Sequence, residues 1–318
     1  MAGHPGRAVR PISVLANRDH RQGLLMLGIV VLAWGLAWPV HKVILETVSP
    51  FGLIALRSAI AALALFVLAL VRRRLVAPSR ADVPIVLSIT LLHMVGFVLL
   101  MSWGLQRVTT GRSVVLAFTT PLWVTAGARL FLGERLTTRR AVGVAAGLLG
   151  LMVLFNPLAF DWGDRTAIVG NGAVLASAVL WAANVVHIRG HRWRATPLEL
   201  IPWELGLATL IVTPVALASG GLAAIDWNAR LIALLLYSGV IGGALAYWAA
   251  ATAGRLLPAV TTSLGFLATP VVSIAIATVW LGEAVTPSLV VAVVLILGGV
   301  ALGTAEPPPA AVRGTMTR

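Results

Sequence analysis

The chain has 318 residues, of which 59% are hydrophobic and only 11% are charged, and its net charge is +13. Soluble domains usually carry about a quarter charged residues, so this composition excludes a soluble globular protein and indicates that lipid surrounds most of the chain. The absence of cysteine excludes disulfides, thiolate metal sites and cysteine nucleophiles.

The positive charge lies in short arginine clusters between apolar runs, such as Arg72–Arg74 and Arg139–Arg140. No basic face or aromatic-basic motif of a nucleic-acid binder accompanies them, so we expect no nucleic-acid partner. The first apolar run begins near Gly23 and has no small-residue cleavage site. We therefore interpret it as a membrane span and not as a secretory signal.

A helix needs about 20 mostly apolar residues to cross the roughly 30 Å hydrocarbon core of a bilayer. Ten runs qualify, and their continuous apolar character is typical of helices, not of barrel strands. The predicted spans are 24–45, 51–71, 84–105, 112–132, 141–158, 167–188, 198–219, 231–252, 259–281 and 288–304. The predicted divisions are an N-terminal tail (1–23), two five-helix halves (24–158 and 159–304) and a C-terminal tail (305–318).

The distribution of lysine and arginine predicts the orientation of the chain. With a cytoplasmic N-terminus, the inside segments hold 18 of the 24 Lys and Arg residues, the outside segments hold 5, and the remaining one is Arg57. Cytoplasmic loops carry such an excess, so both termini are expected in the cytoplasm. The Gly143–Gly147 and Gly299–Gly303 spacings in the fifth and tenth spans allow close helix contact, within the scaffold or between two copies. Monomer and homodimer both remain open.

Motifs of the first half recur in the second half at a nearly constant offset. The pairs at 147 residues are Trp34 with Trp181 and Ser49-Pro50 with Thr196-Pro197. The pairs at 149 residues are Thr120-Pro121 with Thr269-Pro270 and Leu132-Gly133-Glu134 with Leu281-Gly282-Glu283. Because five spans is an odd number, the second copy must enter the membrane upside down. This predicts the inverted repeat of secondary transporters, with a substrate site near the midplane between the halves.

Over about residues 24–304 the chain resembles the drug/metabolite transporter superfamily, in its ten-helix, EamA-type metabolite exporter branch. The matching residues are Trp34-Gly35, Ser49-Pro50, Leu56-Arg57, Pro121, Leu132–Leu136, Thr196-Pro197, Pro270 and Leu281–Glu283. The resemblance implies an all-α basket of ten helices around a central cavity, in a bacterial inner membrane. It also implies export of amino acids or related metabolites, and the chain is similar to aromatic and neutral amino-acid exporters. The second half departs from the pattern of the first half at Glu204, which occupies the position equivalent to Arg57.

Pro121 and Pro270 lie near the middle of the fourth and ninth spans as repeat mates. A proline inside a helix removes one hydrogen bond and clashes with the carbonyl four residues earlier, here at Ala117 and Phe266. We interpret both as gates or hinges at the site. A tolerated kink is the alternative, since proline is common in membrane helices.

His93 lies near the centre of the third span and is the one ionisable side chain that the sequence places at the midplane. Such groups are functional by default, and an imidazole binds a carboxylate when protonated or accepts a proton. A neutral histidine bonded to a neighbouring helix is the alternative. Arg57 and Glu204 are interpreted as structural, through snorkelling or pairing with Glu46 and Arg194 respectively.

Aromatic residues supply the rest of the predicted site. Trp34, Trp38 and His41 share one face of the first span, and Ser177, Trp181 and Asn184 share one face of the sixth. Trp34 and Trp181 are expected to form opposing aromatic walls, although helix packing explains them as well. The predicted substrate-binding residues are His93, Trp34, Trp38, Phe97, Trp181, Asn184, Ser177, Tyr247 and Trp248.

These features predict a secondary or facilitative exporter of neutral or aromatic amino acids, working by alternating access without a metal or cofactor. The absence of Asp and Glu at the midplane argues against a cationic drug. Import or exchange of a sugar or nucleotide derivative is the alternative, but a phosphate would need Lys or Arg in the cavity. A membrane enzyme needs convergent titratable groups, and a receptor needs a soluble output domain. Neither is visible in the sequence, so we predict that the chain is not an enzyme.

Overall fold

The computed structural model describes residues 12–134, 136–155, 162–223 and 225–304. Within these residues the protein is all-helical. The helices are α1 (Ile12–Ile44), α2 (Pro50–Val71), α3 (Val83–Leu105), α4 (Thr110–Ala117), α5 (Thr120–Phe131), α6 (Thr138–Phe155), α7 (Arg165–Gly190), α8 (Pro197–Ala218), α9 (Ala229–Leu256), α10 (Ala259–Phe266), α11 (Ala268–Leu281) and α12 (Pro287–Thr304). The predicted C-terminal tail and the end of the predicted fifth span (156–158) lie outside the described residues.

Eight helical stretches of the described chain are long and apolar enough to cross a membrane, with α4–α5 and α10–α11 each counted as one stretch. The protein is therefore a multi-pass membrane protein. α6 and α12 have 18 residues each, and the count of ten spans stays a prediction. α1 begins at Ile12, inside the predicted N-terminal tail, because Ser13–Gln22 continue the helix ahead of the apolar run.

Helix starts are fixed by local side chains at the ends of the apolar runs. The Ser49 hydroxyl accepts a hydrogen bond from the Gly52 N–H at 3.0 Å, and Pro50 occupies the first turn of α2. Thr196 and Glu199 form a capping box at the start of α8, where Pro197 takes the equivalent place. These caps satisfy backbone donors that a helix leaves free at its first turn, so the Ser-Pro and Thr-Pro motifs mark helix entries.

Helices at equivalent places in the two halves pack against each other. α2 packs along α8, and α6 packs along α12. In the α6–α12 pair the glycines meet, because a Cβ added to Gly143 would overlap the carbonyl oxygen of Gly299. The glycine spacings therefore serve packing within one chain, where small residues let two backbones approach closely.

The centres of α3 and α9 each contain a nine-residue π-helical segment, Ile89–Phe97 and Tyr237–Leu245. The second begins 148 residues after the first, at the spacing of the sequence repeat. π-Helical turns are rare and frequently occur at functional sites. Hydrophobic periodicity did not predict either segment, because their side chains are as apolar as those of the flanking α-helix.

The predicted fourth and ninth spans are each broken into two helices. α4 ends at Ala117 and α5 starts at Thr120, while Leu267 separates α10 from α11. The prediction that Pro121 and Pro270 lie inside a continuous helix is wrong, since both lie in the first turn of the second segment. Proline is tolerated there because the N–H that it lacks would have no acceptor within the helix. The Ala117 carbonyl instead accepts a hydrogen bond from the Thr120 hydroxyl at 2.7 Å.

Candidate functional site

A cavity of about 80 Å³ lies at the centre of the helix bundle, between the π-helical segments and the break after α4. It is far smaller than the 300–1,000 Å³ of a typical ligand pocket. Six of the nine predicted binding residues line it: His93, Trp34, Trp38, Phe97, Trp181 and Tyr247. The structure thus brings together side chains from α1, α3, α7 and α9.

Aromatic contacts connect these residues into one cluster. The ring of His93 stacks on Trp181 with centroids 5.4 Å apart and planes at 6°, and it meets the edge of Tyr247 at 6.0 Å. Phe97 contacts Trp181 at 5.1 Å. Trp34 contacts Tyr247 edge-on at 5.9 Å. Trp34 and Trp181 therefore lie at the two ends of a row that passes through Tyr247 and His93.

Hydrogen bonds hold α1 against the π-helical segment of α9. The Trp34 indole donates to the Gly242 carbonyl at 3.2 Å, and the Tyr237 hydroxyl donates to the Ala33 carbonyl at 2.8 Å. His41 and Ser238 are also hydrogen-bonded, at 2.8 Å. A π-helical turn leaves backbone carbonyls without their usual partners, so side chains of a neighbouring helix can bond to them.

Three predicted binding residues lie elsewhere. The Ser177 hydroxyl donates to the Val174 carbonyl of its own helix at 2.6 Å. Asn184 is buried against α3, where its amide oxygen accepts a 3.4 Å hydrogen bond from the Ser88 hydroxyl. Trp248 lines a separate groove of about 320 Å³ between α2 and α9. Ser177 and Asn184 share a helix face with Trp181, and Trp248 follows Tyr247 in the sequence. Their side chains nevertheless contact other parts of the structure.

Sequence reasoning missed that Arg57 lines the central cavity beside His93. Arg57 is 6% exposed, and its Nε has no hydrogen-bond partner within the described residues. The prediction that Arg57 pairs with Glu46 or snorkels to the membrane surface is therefore wrong, since α2 turns it inward. The signal in the sequence was a lone charge inside an apolar run. His41, which shares a helix face with Trp34 and Trp38, and Thr269 also line the cavity, although neither was among the predicted binding residues.

Glu204, which occupies the position of Arg57 in the second half, is also buried, with 2% exposure. Its Oε1 has no partner within the described residues, and the Thr90 hydroxyl donates to its backbone carbonyl at 3.3 Å. The predicted pairing with Arg194 is wrong because Arg194 is exposed in the connection before α8. There its backbone N–H donates to Asp82 at 3.0 Å.

A second, larger cavity of about 510 Å³ runs from the centre to one end of the bundle. Phe118 and Trp181 line both cavities, so these two rings form the partition between them. At its far end the large cavity reaches Glu134, which forms ion pairs with Arg140 at 3.1 Å and Arg189 at 2.7 Å. We call this end of the molecule the Glu134 end.

The opposite end of the bundle, which we call the Glu283 end, is tied together across the two halves. The Glu283 carboxylate accepts hydrogen bonds from the N–H groups of Thr110 at 2.7 Å and Gly111 at 3.0 Å. Within the first half, the Lys42 ammonium donates to the carbonyl of Val108 at 2.8 Å and also to that of Leu105. The large cavity therefore extends from the Phe118–Trp181 partition to the Glu134 end, whereas contacts to backbone groups join the helices at the Glu283 end.

No group of three His, Asp or Glu residues in the described part of the chain is arranged to hold a metal ion. The titratable side chains at the central cavity are two histidines, an arginine and a tyrosine, enclosed by aromatic rings. Such a lining can hold a small ligand that carries both an anionic group and an apolar side chain.

The sequence is similar to known membrane transporters over most of its length. The profile of the EamA-like transporter family matches it twice, at residues 21–156 and 168–304. The uncharacterized transporter YoaV of Bacillus subtilis is 23% identical over 88% of this chain and 96% of its own length. A probable terminal-alkyne amino-acid exporter of Streptantibioticus cattleyicolor is 29% identical over 87% of this chain and 91% of its own.

Two further similarities concern one half and the fold. A riboflavin transporter of Rhizobium johnstonii is 34% identical over 49% of this chain and 50% of its own length. One solved crystal structure, 21% identical in sequence, superimposes with a TM-score of 0.60 over 90% of this chain and 98% of its own. At that identity the superposition indicates a shared fold.

Proposed function

Because this chain belongs to the EamA-like transporter family, whose members are transporters and not enzymes, we propose that it exports neutral and aromatic amino acids and related small metabolites. We place it in a bacterial inner membrane, with both termini in the cytoplasm. The observation that carries the proposal is the central cavity, where aromatic rings from both halves converge beside Arg57 of the first half. The amino-acid exporter among its relatives supports the substrate class.

The proposed architecture is ten spans in two inverted halves. The family profile matches each half separately. The π-helical segments are 148 residues apart, and both predicted proline spans are broken. An odd number of spans in each half makes the second copy antiparallel to the first, which is the arrangement of many secondary transporters.

The proposed mechanism is alternating access around the central cavity. The arginine-rich Glu134 end is the cytoplasmic one by the excess of Lys and Arg in its connections. The large cavity is then open to the cytoplasm as far as the Phe118–Trp181 partition, while Glu283 closes the outer side. Transport requires a second state in which the outer side opens and the inner side closes. Phe118 and Trp181 are suited to act as the inner gate, since they separate the two cavities.

A second candidate is the transport of a sugar or nucleotide derivative. Its specific support is Arg57, because an arginine in the cavity is the group that a phosphate-bearing substrate would require. A riboflavin transporter matches half of the chain, so the relatives include a transporter of a substrate other than an amino acid. A single arginine in a cavity of about 80 Å³ fits a small monoanionic group better than a phosphate diester or monoester.

The test is flux in proteoliposomes loaded with labelled neutral amino acids. We expect saturable transport by the wild type and its loss in His93→Ala and Trp181→Ala. Trp248→Ala is the matched control, since Trp248 lines the separate groove between α2 and α9. If the two cavity variants transport like the wild type, our site is wrong and the transporter family remains. If no amino acid moves but a phosphate-bearing metabolite does, the second candidate replaces the first.

A further inference from the structure

Arg57 is a buried cation without an anionic partner. Its side chain is on α2, lines the central cavity and is 6% exposed. The ion pairs within the described residues are those of Glu134 with Arg140 and Arg189, and that of Asp82 with His191, so Arg57 belongs to none of them. Its Nε lacks even a hydrogen-bond acceptor there.

A charge in this condition is expensive to keep inside a membrane protein. Moving it out of water carries a desolvation cost that an ion pair or a set of hydrogen bonds normally offsets. Charged groups inside membrane spans therefore concentrate at substrate and ion pathways. The Arg57 guanidinium has no anionic partner, and its side-chain hydrogen bond is with Tyr247, a neutral group, so the site points to an anion that is supplied by a ligand.

The neighbouring side chains do not supply that anion. Arg57 lies close enough to His41, His93 and Tyr247 to act on each of them electrostatically, and none of these is an acid at neutral pH. Glu204, the buried acid on α8, also acts on Tyr247 electrostatically, but it forms no ion pair with Arg57, and its own Oε1 has no partner within the described residues.

The shape of the site selects a carboxylate. A guanidinium binds a carboxylate through two parallel N–H···O bonds, and such bonds strengthen away from water. The aromatic row of Trp34, Tyr247, His93 and Trp181 lies beside it and offers apolar surface for a side chain. We infer that Arg57 binds the carboxylate of the transported amino acid and thereby distinguishes amino acids from the corresponding amines and amides. This inference rests on the proposed function.

The experiment compares matched ligands on purified protein. L-Phenylalanine and L-leucine are each paired with their amides, which keep the side chain and the ammonium but lose the negative charge. Affinity is measured by ligand-dependent thermal stabilisation, which reports concentration relative to Kd. The wild type should prefer the acid over the amide by about tenfold or more, as expected for hydrogen bonds to a charged group.

The variants are Arg57→Gln and Arg57→Lys, with Arg230→Gln as a matched control at an exposed arginine. Arg57→Gln should reduce the preference for the acid to about twofold or less, Arg57→Lys should retain part of it, and Arg230→Gln should keep it whole. The preference is a ratio within each variant, so a lower yield of folded protein does not change it.

The outcomes separate the inference from the proposed function. If the wild type binds acid and amide equally, or if Arg57→Gln keeps the preference, the role of Arg57 is refuted while amino-acid export stands. If the wild type binds none of the amino acids or amides, the proposed substrate class fails and the inference fails with it. Arg57-dependent binding of glucose 6-phosphate alone would overturn both in favour of a phosphate-bearing substrate.

Discussion

Glu283 Oε1 accepts a hydrogen bond from the backbone N–H of Thr110 at 2.7 Å, although the two residues are 173 positions apart. The same carboxylate accepts from Gly111, so it caps the N-terminus of α4, where free N–H groups and the helix dipole favour a negative charge. Gly282, with φ of 70°, ends α11 in the left-handed conformation and lets the chain turn toward α4. The second Leu-Gly-Glu motif therefore works as a latch between the halves.

Glu283→Gln should open the Glu283 end. The variant keeps the shape of the side chain but loses the negative charge and one of its two acceptor bonds. Hydrogen bonds to charged groups contribute about 1.5–3 kcal/mol, so the population of the open state should rise roughly tenfold or more. Because the chain has no cysteine, Met101→Cys in the central cavity provides a single reporter. An impermeant maleimide added outside should label it faster in Glu283→Gln than in the parent.

Glu46→Gln is the control for this measurement. Glu46 is an exposed acid just after α1, and it acts on Lys42 as Glu283 does, so it also lies at the Glu283 end. It should leave the labelling rate of the reporter unchanged. Equal labelling rates in Glu283→Gln and its parent would show that the cap on α4 does not hold the outer side closed.

Glu134→Gln should shift labelling in the opposite direction. Gly133 has φ of 67°, so the first Leu-Gly-Glu motif has the same turn as the second. In this structure Glu134 pairs with two arginines, and Pro258 provides no side-chain cap at the start of α10. By the repeat, Glu134 is expected to cap α10 when the outer side is open.

Glu134 stabilises the two states by different amounts, through ion pairs in this structure and through the expected cap on α10 when the outer side is open. Its two ion pairs are partly exposed, with 27% to 42% side-chain exposure, and each contributes at most about 1 kcal/mol. A cap like that of Glu283 has two hydrogen bonds to a charged group, and each contributes about 1.5–3 kcal/mol. Glu134→Gln should therefore lower the population of the outward-open state, and external labelling of Met101→Cys should slow severalfold. Faster labelling would contradict an exchange of caps between the two ends.

Gly299→Ala should lower the melting temperature, whereas Gly298→Ala should not. A Cβ at Gly299 would overlap the Gly143 carbonyl oxygen, while a Cβ at Gly298 meets nothing within 4 Å. Forcing a methyl group into a packed contact costs about 1–3 kcal/mol. At Gly298 the better helix propensity of alanine acts alone and is slightly favourable. Thermal unfolding in detergent checks both, and equal melting temperatures would refute the tight α6–α12 seam.

Asp82→Asn should destabilise the protein at neutral pH but not at low pH. Asp82 lies in the connection before α3, where the Arg194 N–H, with the Ser79 hydroxyl and the Ala195 N–H, lowers its pKa from 3.8 to about 2 against the effect of burial. A lowered pKa in the folded state stabilises the protein above pH 3.8, and this stabilisation is lost as the pH falls toward 2.

Melting temperatures at pH 7 and near pH 2.5 check this prediction. The difference between wild type and Asp82→Asn should shrink at the lower pH. Asp226→Asn is the control, because the described hydrogen bond at Asp226 is accepted by its backbone carbonyl. A difference that stays constant with pH would mean that Asp82 acts through packing and not through its charge.

Many residues of the candidate site could be selected from the sequence, because the type of each side chain and its depth in the membrane can both be read along a single helix. His93, Trp34, Trp38, Phe97, Trp181 and Tyr247 line the central cavity, and their role in binding substrate stays a prediction. Ser177 and Asn184 do not line it, because a position on the inner face of a helix does not decide which neighbouring group the side chain contacts. Glu204 was misjudged, because its depth was read from the span end and its partner from proximity along the chain.

The sequence by itself determined that the chain lies in lipid, where most of its helices begin and that its motifs repeat. Apolar runs, caps and offsets are local properties, so no knowledge of packing is needed to read them. Only the tertiary structure decided that Arg57 faces the central cavity, that α3 and α9 are π-helical at their centres, and that Glu283 closes one end. Each of these depends on which helix comes to lie opposite, and in lipid that is set by close packing and by the pairing of the few polar groups.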